Sequence, residues 1–112
     1  MTILEKYIDC MKRGDNIGLA DLFSEYGILH DSSLIKIRKD TMHLEGKMAI
    51  EMMFHHKFGF NGGPFKIYSV KYRAENQVWY FIQYGETILP VNAYIEEVDS
   101  NNKIKRMNIY AV

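Results

Sequence analysis

The hydrophobic period of this chain changes once, near Phe65, and that change limits its fold more than any other feature. Upstream, apolar residues recur at helical spacing: Ile3, Leu4, Tyr7, Ile8 and Met11, and later Met48, Ala49, Met52, Met53 and Phe54. Downstream the pattern alternates by twos, with Lys66, Tyr68, Val70 and Tyr72 on one side and Ile67, Ser69, Lys71 and Arg73 on the other. Helical segments followed by a run of strands predict an α+β fold, with helices on one face of an antiparallel sheet.

Local signals divide the chain further. Thr2 and Glu5 form a capping box, and Gly14 is a left-handed stop, so a first helix spans Ile3 to Arg13. Asp15 caps a second helix with apolar positions at Ile17, Ala20, Leu22 and Phe23, weakened by about 1 kcal/mol at Gly18. Ile28–Asp31 reads as a short strand, Ser32-Ser33 as a turn, and Leu34–Arg38 as a strand pairing back. A third helix covers Gly46 to Lys57, and Phe58–Pro64 is a loop. Four further strands follow: from Phe65, over Gln77–Gly85, from Pro90 to Val98, and over Lys103–Ala111, in a long antiparallel meander. With 112 residues and no repeat or linker, residues 1–112 form a single domain.

Charge and cysteine content narrow the partners. Lys+Arg and Asp+Glu both number 14, so no basic footprint for nucleic acid is present. No apolar stretch approaches the roughly 20 residues of a membrane span. Cys10 stands alone and the first residues carry no signal-peptide pattern, so a reducing, cytoplasmic setting is expected. A neutral chain with 13% aromatic residues is expected to form a homodimer, the alternative being a monomer with a large core.

The order and spacing of four segments resemble the nuclear transport factor 2-like superfamily, in its SnoaL-like and ketosteroid isomerase-like branch. They are YIDCMKRGD (Tyr7–Asp15), LADLFSEYGILHDS (Leu19–Ser32), GKMAIEMMF (Gly46–Phe54) and NNKIKRMNIY (Asn101–Tyr110). The resemblance implies a cone: a curved, cystatin-like antiparallel sheet closed at one end by three N-terminal helices, enclosing an apolar pocket, in chains that often pair as dimers. Functions in this superfamily diverge, so the fold carries little functional weight.

Asp31, in LHDS, falls at the position similar to the family's aspartate base. A carboxylate in an apolar cone has its charged form disfavoured and its proton affinity raised, which suits a base near neutral pH. An Asp before Ser-Ser is also an ordinary turn residue. Tyr7 matches the family's oxyanion donor, the alternative being a core aromatic. The family's second acid is missing from Pro90-Val-Asn-Ala-Tyr94, where Asn92 offers a neutral N–H if its side chain turns inward. That absence speaks against steroid isomerisation itself.

Met11, Phe23, Phe54, Trp79, Phe81 and Met107 are expected to line the pocket, with Tyr80, Ile82 and Tyr84 on the opposite strand face. Met48, Met52 and Met53 add an adaptable lining. His30 points away from Asp31, His55 and His56 are about 100° apart on their helix, and His43 is isolated. No metal site is expected. The sequence therefore points to a cofactor-free pocket for an uncharged or weakly acidic hydrophobic molecule. Its chemistry, if any, is isomerisation, cyclisation or dehydration by proton transfer. The other reading is a non-catalytic homodimeric binding or association module, with the sheet face carrying Tyr80, Ile82 and Tyr84 as its interface.

Overall fold

The computed structural model describes every residue from Met1 to Val112. Helix α1 spans Ile3–Arg13 and α2 Asn16–Ala20. Strand β1 (Phe23–Asp31), a 3-10 turn (Ser33–Ile37) and strand β2 (Met42–Glu45) precede α3 (Lys47–Phe60). Strands β3 (Lys66–Ala74), β4 (Gln77–Tyr84), β5 (Thr87–Val98) and β6 (Ile104–Ala111) complete the chain. Three helices pack against a curved, unclosed six-stranded sheet.

The caps act as the sequence dictates. The Thr2 hydroxyl accepts from the Glu5 N–H at 3.1 Å, and the Glu5 carboxylate accepts from the Thr2 N–H at 2.9 Å. Gly14 closes α1 with φ 70°, where a side chain would be strained. The Asp15 carboxylate accepts from the Gly18 N–H at 2.9 Å and starts α2.

Five expectations change, the simplest being that α3 runs on to Phe60 through residues read as a loop. Helix α2 stops at Ala20, so Leu22 and Phe23 leave it and β1 begins at Phe23. A register shift between Phe23 and Ile28 bends that strand, and Gly27 permits the bend: a Cβ there would lie 2.6 Å from the Ile104 carbonyl. Leu34–Ile37 is not a strand. The Asp31 side chain ties down Ser33 and coils the next residues, leaving Met42–Glu45 to pair with β1. The helices do not all precede the strands, since α3 follows β1 and β2. The sheet is mixed rather than antiparallel throughout. Its order is β2-β1-β6-β5-β4-β3, and β6 slots beside β1 in parallel. Alternation along a strand dictates its faces, not the direction of its neighbours.

Strict register carries one line of residues across the sheet. Asp31 pairs with Ile109, Ile109 with Ala93, and Ala93 with Val78, all facing the helices. One residue earlier on β1, His30 aligns with Asn108, and Asn108 with Tyr94, on the outer face. A core of 26 buried apolar residues lies between the inner face and the helices. Leu4, Tyr7, Leu19, Ile50, Val78 and Met107 are completely enclosed. Burial of this apolar surface is the main source of stability.

Candidate functional site

Asp31 ends β1 on the inner face and is 5% exposed. Its Oδ1 accepts both the Ser33 N–H, at 2.9 Å, and the Ser33 hydroxyl, at 2.5 Å. Oδ2 accepts no hydrogen bond from the protein. Burial raises the proton affinity of Asp31, while the Ser33 hydrogen bonds and the Lys57 charge pull it partly back.

Around Asp31 stand Tyr7 from α1, Tyr80 and Tyr84 from β4, and Lys57 from α3. Desolvation drives all three phenols far above their ordinary range, with the Asp31 charge adding to it in each. They are neutral donors, not bases. The Tyr7 hydroxyl is fully buried and finds no hydrogen-bond partner, although Tyr80 is close enough to affect its ionisation. An orphaned hydroxyl beside a buried carboxylate invites a functional explanation.

The space between these groups is nearly closed. It holds about 10 Å³, at the margin for one water molecule. Phe54, Phe58, Phe65 and Tyr84 form a chain of tilted and edge-on ring contacts, with centroids 5.0 to 5.9 Å apart, along one wall. Beyond that wall opens a cleft of about 610 Å³, lined by the 3-10 turn, the C-terminal half of α3 and the β4–β5 turn. Lys57, Phe65 and Tyr84 border both spaces. The accessible recess next to Asp31 is thus the outer cleft, and the open cone interior expected from the sequence is replaced by packed tyrosine and phenylalanine side chains.

Of the sequence-derived residues, Asp31, Tyr7, Met11 and Phe54 surround the inner space. Phe23 and Met107 are buried in the core without bordering it. Trp79 and Phe81 are a correction. They lie on the outer face, 37% and 41% exposed, while Val78, Tyr80 and Ile82 point inward. The alternation was legible, but both faces of β4 are aromatic, so polarity did not distinguish them. Asn92 is also a correction. It shares the outer face with Trp79 and Tyr110, its Oδ1 accepts from Gln77 Nε2 at 3.1 Å, and Ala93 takes the inward place. Met48 and Met52 are exposed on α3, and only Met53 reaches the cleft.

Sequence reasoning missed Lys57, Tyr84 and Ser33. A lysine in the last turn of a helix reads as a charge favouring the helix C-terminus, and only the packing of α3 over β1 brings it to Asp31. No three metal-ligating side chains converge. His30 and His43 do meet, Nδ1 to Nδ1 at 3.0 Å, on the outer face away from Asp31.

The sequence matches no family model and no curated protein. Its shape matches many solved structures. A SnoaL-like protein of unknown function from Burkholderia thailandensis is 8% identical with a TM-score of 0.68, over 97% of this chain and 91% of that one. A hypothetical protein with a ketosteroid isomerase-like fold from Catenulispora acidiphila, solved in complex with trimethylamine, is 13% identical with a TM-score of 0.67, over 96% and 83%. A protein of unknown function with a cystatin-like fold from Methylobium petroleophilum is 12% identical with a TM-score of 0.71, over 98% and 73%. At these identities the likeness is one of fold: the chain has the cystatin-like fold that SnoaL-like and nuclear transport factor 2-like proteins share.

Proposed function

We propose that this protein binds a small hydrophobic molecule in the outer cleft and moves a proton on it without a cofactor. Asp31 is the base and the neighbouring phenols are neutral donors. One observation carries this reading: the 610 Å³ cleft and the closed space at Asp31 share Lys57, Phe65 and Tyr84 as a common wall. Rotation of Phe65 and Tyr84 would join the two. A buried carboxylate with raised proton affinity, one oxygen free of protein donors and neutral phenols beside it can take a proton from carbon and support the developing enolate. The reaction class is isomerisation, cyclisation or dehydration.

The test uses 2-tetralone, an aromatic ketone with acidic hydrogens beside its carbonyl. In D2O the wild-type protein is expected to accelerate deuterium uptake at that carbon. Asp31→Asn should lower the acceleration by at least about 100-fold. Binding without acceleration removes the catalytic role and leaves the binding role standing.

A second reading, a homodimeric binding module, is favoured by the outer face of the sheet. Tyr68, Trp79, Phe81 and Tyr110 lie there, each 37 to 44% exposed. Such an aromatic surface suits burial against a second copy. Sedimentation of wild type and Phe81→Glu decides it: a dimer that the substitution dissociates supports the reading, and a monomeric wild type refutes it.

A further inference from the structure

The outer cleft is apolar in body and cationic in charge. Leu34, Ile37, Met53, Phe60 and Phe65 supply hydrophobic walls, Lys39, His56 and Lys57 stand among them, and no Asp or Glu belongs to the lining. Asp40 borders an adjoining groove instead, and Glu86 lies outside both.

Neither lysine is held in an ion pair. Elsewhere Lys47, Lys103 and Lys105 reach carboxylates at 2.7 to 3.9 Å, but Lys39 and Lys57 enter no ion pair. Arg38 adopts a left-handed conformation (φ 60°), and the Lys39 N–H donates to the Leu34 carbonyl at 3.0 Å, so the turn itself sets Lys39 at the rim. Lys57 stands where the cleft meets the inner space. Its ammonium is partly stripped of water, which lowers its proton affinity; Asp31 offsets this from beyond ion-pair distance, and Lys39 repels it. Asn61 is already committed to the Gly63 and Pro64 carbonyls, and Lys39 and Lys57 carry the cleft's ammonium donors.

We propose that the cleft selects an anionic amphiphile, a carboxylate on an apolar ring, with Lys39 and Lys57 holding the carboxylate and the phenylalanines holding the ring. An uncharged guest would leave two unpaired ammonium groups beside it, one of them half-buried. A carboxylate compensates both through charge-assisted hydrogen bonds. The proposal rests on the reading that the cleft is a ligand site, and it names the class of ligand.

Isothermal titration with 2-naphthoate and with its neutral methyl ester separates the two ideas. Wild type is expected to bind the carboxylate about tenfold more tightly than the ester, a difference that one charge-assisted contact can supply. Lys39→Met, at an exposed position, and Lys57→Met should each remove most of that preference, read as the ratio of carboxylate to ester affinity within the same variant. Equal or tighter binding of the ester by wild type overturns the anion selectivity and leaves the cleft as a site for neutral molecules. Undiminished preference in both lysine variants overturns the assignment to these residues. No binding of either compound overturns the cleft as a ligand site altogether.

Discussion

Ser33 gives both its backbone N–H and its hydroxyl to one oxygen of Asp31, at 2.9 and 2.5 Å, and the other oxygen receives nothing from the protein. The carboxylate is thus a turn-former through Oδ1 and a free acceptor through Oδ2. The two roles weighed for it from the sequence are compatible, because a carboxylate has two oxygens and this turn needs only one.

That asymmetry predicts a pH dependence. Burial lifts the proton affinity of Asp31 above its unfolded value. Between the ordinary carboxylate range and the raised value the folded chain holds more protons than the unfolded chain, so stability falls as pH rises through that interval. Asparagine keeps an acceptor for Ser33 and carries no charge. Asp31→Asn should therefore be more stable than wild type above the interval, the gap narrowing as pH is lowered through it. Urea unfolding between about pH 4 and about pH 8 checks this, and a gap that widens towards acid would contradict it.

Tyr7 tests the orphaned hydroxyl. Its ring is enclosed but its Oη has no partner, so Tyr7→Phe removes an unsatisfied group rather than a hydrogen bond. Stability should change by less than about 1 kcal/mol, or rise. A larger loss in urea unfolding would mean that the hydroxyl is satisfied in solution.

Phe65 is the panel between the two spaces. Phe65→Ala should cost about 3 kcal/mol, as other buried Phe truncations do, and should connect the cleft to Asp31. Binding of 2-tetralone, followed by Tyr80 and Ser33 NMR shifts, should then extend inward. Shifts confined to the outer cleft in the variant would show that Phe65 does not bar the way.

Gly27 tests the bend of β1. Its missing Cβ would meet the Ile104 carbonyl at 2.6 Å and the Ser24 carbonyl at 3.1 Å, both backbone atoms with little freedom to retreat. Gly27→Ala should destabilise by about 2 kcal/mol or more, read by thermal or urea unfolding. A neutral result would place the flexibility in β1 rather than in its packing.

Short-range physics made much of this protein legible without coordinates. The Thr2–Glu5 box, the Gly14 stop and the Asp15 cap depend on residues a few positions apart, and α1 begins and ends where they place it. The opposite faces of His30 and Asp31 follow from the strand period alone. Lys57, by contrast, meets the Asp31 site across a gap of 26 positions, and nothing local in either segment announces the other.

The sequence by itself determined α1, the helix caps and the alternation of β4, because those are set by backbone geometry within a few residues, whereas the 3-10 turn after Asp31 and strand β2 emerged only in the folded chain. Only the tertiary structure decided which face of β4 turned inward, that β6 lies parallel to β1, and that the interior closed around Tyr7, Tyr80 and Tyr84 instead of staying open. Those outcomes depend on how much side-chain volume meets from opposite sides of the core. A chain with aromatics on both faces of a strand does not disclose that sum until it is packed.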